Sequence, residues 1–404
     1  MKKKLFSLGL AVAMAASLTA CGGSGTAGTT KAAETTAADK AGAADNAAAG
    51  GVIKIGGIGP TTGGAAVYGL AVQHGAQLAV DEINAAGGIN GCTIEFNFQD
   101  DEHDPEKSVS AYNTLKDWGM QVLMGTVTSA PCIAVADKTA ADNMFQITPS
   151  GSAVECAANP NVFRICFSDP DQGAASAKYI GENKLASKVA VIYDSSDVYS
   201  SGIYEKFVEE SANQGIEIVA AEAFTADSNK DFSTQLQKSN DAGAELVFLP
   251  IYYTEASLIL QQASTMGFAP QFFGCDGMDG ILAVEGFDAN LANDLIFLSP
   301  FTPTSEDEVI QKFVQDFEDT YGGTPNQFAA DAYDGIYAIK AAAEKAGVTA
   351  DMSASDICEA LKTAMTEITI DGVTAKSLTW ETSGEPSKEP MVVKIANGDY
   401  AVVE

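Results

Sequence analysis

The sequence predicts an α/β protein whose parallel sheets are covered by helices on both faces, with enough chain for two domains. Three observations predict it. Short apolar strands alternate with amphipathic stretches of about 10–15 residues, a pattern that links parallel strands through crossover helices. The chain has 404 residues, more than one small core accommodates. Hydrophobic residues make up 46% and charged residues 19%, a balance that suits a packed interior.

The elements can be read in order from Val52. Ile53 and Ile55 begin a strand. Val72, Ala76, Ala79, Val80 and Ile83 recur at helical spacing until Gly87-Gly88 stops the helix. Ile94, Phe96 and Phe98 alternate as a strand. Asp104-Pro105 opens the next helix, with Asp as cap and Pro in the first turn, and Gly119 ends it. Strands are then expected at Val122–Met124, Phe145–Ile147, Val189–Tyr193, Ile216–Val219, Leu246–Leu249 and Phe272–Phe273. Helices are expected at Ser201–Asn213, Asp231–Asp241 and Glu255–Met266.

The N-terminus reads as an export signal. Lys2, Lys3 and Lys4 precede an apolar run from Leu5 to Leu18, which is too short and wrongly flanked to be a spanning helix. The run closes on Leu18-Thr19-Ala20-Cys21. This closely resembles the lipobox of bacterial lipoproteins, which implies removal of residues 1–20 and acylation of Cys21. Residues 22–50 are nearly all Ala, Gly, Thr and Ser, too little apolar surface to fold. Residues 21–51 are thus expected to be a tether, reaching roughly 30 Å as a flexible coil.

The formal charge of −31 and pI near 4.2 repel phosphate backbones, so nucleic acid is excluded as a partner. Besides Cys21, the cysteines are Cys92, Cys132, Cys156, Cys166, Cys275 and Cys358. Export permits disulfides, but the spacings select no pairing, and most of these cysteines read as small core residues. With no CxxC pair and only two histidines, neither a metal site nor a cofactor is expected.

In open parallel sheets, ligands bind beyond the carboxyl ends of the strands. The residues there are Gly59 to Gly64 and Tyr68, then Thr128 and Ser129, then Ser150, Gly151 and Ser152, and further on Tyr199, Tyr252, Tyr253, Cys275 and Asp276. Hydroxyls, aromatics and one carboxylate dominate, and no cation is evident. Ser129-Ala130-Pro131 reads as a helix start with Ser129 as cap, so free N–H groups there could take a carboxylate. Asp276 could hold an ammonium, and the two ends together suit a zwitterion.

The stretches IKIGGIGPTTGGAAVYG, GAQLAVDEINAAGGING, QDDEHDPEKSV, FQITPSGS, FRICFSDPDQG, KDFSTQLQK and PNQFAADAYDGIYA resemble, in order and spacing, the leucine/isoleucine/valine-binding proteins of ABC transporters. The resemblance covers about 52–404. It implies a type I periplasmic-binding-protein fold: two Rossmann-like lobes joined by a three-strand hinge, with crossovers near Asp169, Pro300 and Trp380. The N-terminal lobe would comprise 52–169 plus 301–379, and the C-terminal lobe 170–300 plus 380–404. It also implies that Ser129 binds the ligand carboxylate, that Ser150, Gly151 and Ser152 serve both ends, and that Asp276 takes the ammonium. Tyr68, Tyr199, Tyr252 and Phe328 would line the pocket or its mouth. Ser-Gly-Ser replaces the family's Ala-Ala-Thr, which makes the pocket more polar, and Asp276 replaces a glutamate. A disulfide of some members cannot form, because His103 stands where they have cysteine.

The implied function is an extracytoplasmic solute-binding component of an ABC importer, holding a small amino acid, branched-chain aliphatic first. Its partners would be that ligand, a permease and, through the lipid, the membrane, and the protein is expected to be a monomer. The alternative is a receptor-type binding protein for an amide, urea or other small polar metabolite. An enzyme has no support: Thr62 stands where a dinucleotide fingerprint needs glycine, and no phosphate loop or nucleophile elbow occurs. His74 and His103 read as structural or solvated, and no catalytic residue is expected.

Overall fold

The computed structural model describes residues 50–403. The expected leader, Cys21 and the tether up to residue 49 lie outside the described residues.

The first sheet holds β1 (Val52–Gly59), β2 (Thr93–Asp100), β3 (Val122–Gly125), β4 (Gln146–Thr148) and β5 (Val162–Arg164). Its order is β2-β1-β3-β4-β5, and every pair is parallel. Between the strands run α1 (Ala66–Ala85), α2 (Pro105–Trp118) and α3 (Ser129–Asp142). The caps expected for α2 are present. Asp104 accepts from the Glu106 and Lys107 N–H groups, and Gly119 ends the helix at φ 91°. Such a cap contributes about 1 kcal/mol and fixes where the helix begins.

The chain then enters the second lobe at α4 (Asp169–Glu182), whose start is set by a capping box between Ser168 and Asp171. There follow β6 (Lys188–Asp194), α5 (Val198–Gln214), β7 (Glu217–Phe224), α6 (Ser233–Asp241), β8 (Leu246–Leu249), α7 (Tyr253–Met266), β9 (Gln271–Gly274) and β10 (Ile296–Ser299). The chain returns to the first lobe for α8 (Glu308–Tyr321), α9 (Gln327–Ala346) and α10 (Ala354–Met365), with α9 packed along α1. It ends in the second sheet with β11 (Met391–Ala396) and β12 (Asp399–Val402). That sheet is ordered β12-β11-β10-β9-β8-β6-β7. It is not wholly parallel: β11 runs antiparallel to β10, which it rejoins after α8, α9 and α10, and antiparallel to β12, to which a tight hairpin connects it. The last return to the second lobe comes after Trp380. The Trp380 indole still donates to the Arg164 carbonyl at 2.8 Å, and Arg164 N–H donates to the Gly384 carbonyl at 3.1 Å.

Each sheet has one point where strand order reverses, between β1 and β3 in the first and between β6 and β8 in the second. A crevice opens at such a point, because successive helices leave for opposite faces. The residues after β1, β3, β6 and β8 are therefore brought to the mouths of two crevices. One buried cluster unites Ile55, Met124 and Phe328 of the first lobe with Val247, Ile251 and Met278 of the second, so the crevices face each other across packed apolar side chains.

Candidate functional site

Tyr68, Ser129, Ser150, Tyr199, Tyr252, Asp276 and Phe328 line one narrow cavity between the lobes, together with Val127, Thr128 and Gly277. The lobes pack closely there, and the cavity between these side chains is only about 10 Å3. A larger hollow of about 450 Å3, walled by Val67, Leu70, His74, Phe317 and Tyr321 among others, contains none of the residues proposed to bind ligand.

In the first lobe, α1 carries Tyr68 in its first turn. The helix approaches the preceding loop closely at Gly69, where a Cβ would lie 1.9 Å from the Pro60 carbonyl oxygen, so only glycine fits. Tyr68 is buried. Its hydroxyl donates to the Gly277 carbonyl at 2.6 Å and accepts from Tyr253 N–H at 3.2 Å, both in the other lobe.

The start of α3 differs from the expectation. Thr128, not Ser129, occupies the cap position, and no side chain caps the helix. Thr128 is taken by His103, whose Nδ1 lies 2.8 Å from its hydroxyl. Ser129 is the first helical residue. Its Oγ accepts from Ser152 N–H at 3.2 Å and Ala153 N–H at 3.1 Å, which leaves its O–H to donate. Ser129 thereby ties the β4 loop to the α3 N-terminus.

Of the β4 loop residues, Ser150 is on the cavity wall, its hydroxyl donating to the Val127 carbonyl at 2.7 Å. Gly151 and Ser152 stand behind the wall rather than on it. The Gly151 N–H is used by Thr148 Oγ1 at 2.7 Å, and the Ser152 hydroxyl is buried without a partner. Behind this loop lies a cation that sequence reasoning missed. Arg164 is fully buried in β5, and its Nη1 donates to the Ser152 carbonyl at 2.6 Å while its Nη2 donates to the Ala153 carbonyl at 3.1 Å. The only signal for it was a lone arginine within the apolar run Val162–Phe167.

In the second lobe, α5 begins at Val198, earlier than the expected Ser201, and this places Tyr199 in its first turn. Tyr199 stacks on Tyr252 with centroids 4.8 Å apart. Tyr252, at the cap position of α7, meets Tyr68 edge-on at 5.6 Å. Phe328, in the first turn of α9, lies 4.3 Å from the Tyr68 ring. The Tyr199 hydroxyl donates to Asp276 Oδ1 at 2.7 Å and accepts from Gly277 N–H at 3.0 Å. Gly277 has no room for a side chain, since a Cβ would come within 2.7 Å of that hydroxyl.

Burial pushes the Asp276 carboxyl up to about 6, opposed chiefly by the hydrogen bond from the Tyr199 hydroxyl, while Gln172 Oε1 accepts from the Asp276 backbone N–H at 3.1 Å. Asp169, read from the sequence only as a crossover position, is a second buried acid. Burial holds its carboxyl well above the ordinary range, opposed by the Ser152 hydroxyl beside it and reinforced by repulsion from Asp276. The Gln172 amide nitrogen is unpartnered. The cavity wall thus carries one carboxyl raised by burial, Asp276, together with the Ser129 and Ser150 hydroxyls of the other lobe and the rings of Tyr68, Tyr199, Tyr252 and Phe328.

His74 stacks on Tyr321 with centroids 4.1 Å apart, a packing role, and His103 is half-buried against Thr128 and Tyr252. Cys92, Cys132, Cys156, Cys166, Cys275 and Cys358 are all buried and unpaired.

Comparison with known proteins agrees with this architecture. The family model described as "Periplasmic binding protein" matches residues 52–399. The Leu/Ile/Val-binding protein BraC3 of Rhizobium johnstonii is 32% identical over 308 residues, covering 76% of this chain and 82% of that protein. Leu/Ile/Val-binding protein homolog 3 of Brucella melitensis is 30% identical, covering 74% and 80%. Among solved structures, the substrate-binding protein LivJ of Streptococcus pneumoniae in complex with isoleucine superposes with a TM-score of 0.79 at 30% identity, covering 87% of this chain and 99% of that one. The leucine-binding protein LivK of Thermotoga maritima gives a TM-score of 0.78 at 25% identity, covering 87% and 98%. The order of its strands, its two facing crevices and these matches place the chain in the periplasmic binding protein family, among the relatives of the Leu/Ile/Val-binding proteins.

Proposed function

We propose that this protein is the extracytoplasmic solute-binding component of an ABC importer and closes its two lobes on a small amino acid, a branched-chain aliphatic one first. One observation carries the reading: a single interlobe cavity sets Ser129 and Ser150 against Asp276, with Tyr68, Tyr199, Tyr252 and Phe328 between. The α-carboxylate is received by the Ser129 hydroxyl and by N–H groups at the α3 N-terminus. The ammonium is held by Asp276, whose carboxyl lines the cavity. The aliphatic side chain rests on the aromatic rings. Relatives support this choice of ligand, since the Pseudomonas aeruginosa relative, 28% identical, is a leucine-, isoleucine-, valine-, threonine- and alanine-binding protein.

Ligand docks on one lobe and the other rotates onto it. Contacts from both lobes make the closed state preferred, and a permease recognises the closed outline. A lipid on Cys21 keeps the protein at the membrane from which the solute is taken up. Calorimetric titration with leucine, isoleucine, valine, alanine and threonine, and with small amides and urea, tests the assignment. Micromolar or tighter binding of at least one aliphatic amino acid is expected. Binding of the amides or urea alone would replace this reading with the sensor-type alternative.

A further inference from the structure

We propose that Asp279 is a clasp across the cleft, a positioning residue that sets how firmly the lobes close on any ligand without touching the ligand. The proposal rests on the reading that the lobes open and close around a solute.

Asp279 follows β9 in the second lobe and is 2% exposed. Its Oδ2 accepts from Gln327 N–H, the first residue of α9 in the first lobe, at 2.8 Å. Its Oδ1 accepts from the Tyr400 hydroxyl of β12 at 2.6 Å. Gln327 completes the junction from the other side, its side-chain amide donating to the Asp276 carbonyl at 2.8 Å. A helix leaves its first N–H groups without internal partners and carries partial positive charge there. The Asn326 side chain of α9 itself takes one of them, at Ala329, but the one at Gln327 is satisfied by a carboxylate from the opposite lobe.

The position of this junction matters. Phe328 stands next to Gln327 and lines the cavity, and Asp276 lies three residues before Asp279 and lines it too, whereas Asp279 itself does not. The clasp therefore registers the two walls that meet the ligand while staying off it. Its chemistry also suits a contact that must be broken at every cycle. Tyr68 to Gly277 and Thr254 to Gly64 are neutral interlobe hydrogen bonds. The Asp279 pair is charge-assisted, which is stronger when made, and a carboxylate regains its hydration when the lobes part. The difference between those two surroundings sets how far the clasp favours the closed state.

The experiment uses the full mature chain with Asp279→Ala, Asp279→Asn and Tyr400→Phe. Affinities for leucine, isoleucine and valine come from calorimetry, dissociation rates from stopped flow, and radius of gyration from X-ray scattering with and without leucine. Asp279→Ala is expected to weaken all three ligands by about 10- to 100-fold, through faster dissociation, with their ratios held within about twofold. Tyr400→Phe, which keeps the Gln327 contact, is expected to cost about 3- to 10-fold. Should Asp279→Ala fail to fold, Asp279→Asn and Tyr400→Phe carry the test. Unchanged affinity in the folded variants overturns the clasp, and altered ligand ratios overturn it by placing Asp279 in the pocket. If the unsubstituted protein binds none of the three amino acids, the proposed ligand class fails. The clasp is then judged by scattering alone, where Asp279→Ala must be more extended than the parent or the proposal falls.

Discussion

Asp276→Asn isolates the electrostatic core of the proposed site. The residue is 4% exposed, and its carboxyl is held at about 6, above the ordinary aspartate value of 3.8, mainly by burial. At 1.36 kcal/mol per pH unit, keeping it ionised in place costs about 3 kcal/mol, a debt that a bound ammonium cancels. Asparagine is nearly the same shape and still accepts from the Tyr199 hydroxyl, so the wall built from Tyr199, Gly277 and Asp276 survives. What is lost is the charge. Leaving one partner of a buried ion pair alone costs about 3–5 kcal/mol, a loss of at least ~100-fold in affinity. The unliganded variant should meanwhile melt no lower than the parent at pH 7, since a buried charge has been removed. Calorimetry with the preferred amino acid reads the first quantity and a thermal melt the second. The corresponding α-hydroxy acid, which lacks the ammonium, should bind parent and variant about equally. Affinity for the amino acid within about threefold of the parent, in a folded variant, would refute the assignment of the ammonium to Asp276.

Other expectations follow from the same geometry. Phe328→Ala removes a buried ring stacked near Tyr68, and should change the ranking of leucine, isoleucine and valine more than the mean affinity; equal weakening of all three would make Phe328 scaffold. Ligand affinity should be full above about pH 6 and fall by up to tenfold per unit below it, because Asp276 must shed its proton to meet an ammonium. Stability of the unliganded fold should move the other way. Asp276 and Asp279 at about 6 and Asp101 at about 7 hold protons in the folded state that the unfolded chain has lost between about pH 4 and 7, so the melting temperature should rise on mild acidification from 7 toward 5. A flat or falling profile there would show these acids are less desolvated than their burial indicates. Gly69→Ala drives a Cβ against the Pro60 carbonyl and should destabilise the protein by about 2 kcal/mol or more on urea unfolding, a change on the scale of other overpacked positions.

Much of the site was legible because post-strand positions in a parallel sheet are local facts. Once β1, β3, β4 and β9 are recognised from apolar runs, Tyr68, Ser129, Ser150 and Asp276 follow by counting. What escaped depended on contacts distant in sequence. The capping role expected of Ser129 belongs to no side chain, because the Ser129 hydroxyl is claimed by N–H groups some two dozen residues later. Arg164 carries no local signal of its role, which depends on its guanidinium lying under the Ser152 and Ala153 carbonyls. Asp169 reads in the sequence only as a crossover position, and the fold alone shows its carboxyl fully buried.

By itself the sequence determined the alternation of strands and helices, the caps at Asp104 and Gly119, and the set of polar and aromatic residues offered at the strand ends. These rest on hydrophobic period and backbone preference, which act over a few residues and so can be read in a line. Tertiary structure alone decided which of those residues share a cavity, which stand behind it, and that Asp279 and Gln327 meet across the two lobes. Such pairings join residues far apart in the chain, and they form only after whole layers have packed, so no short stretch of sequence contains them.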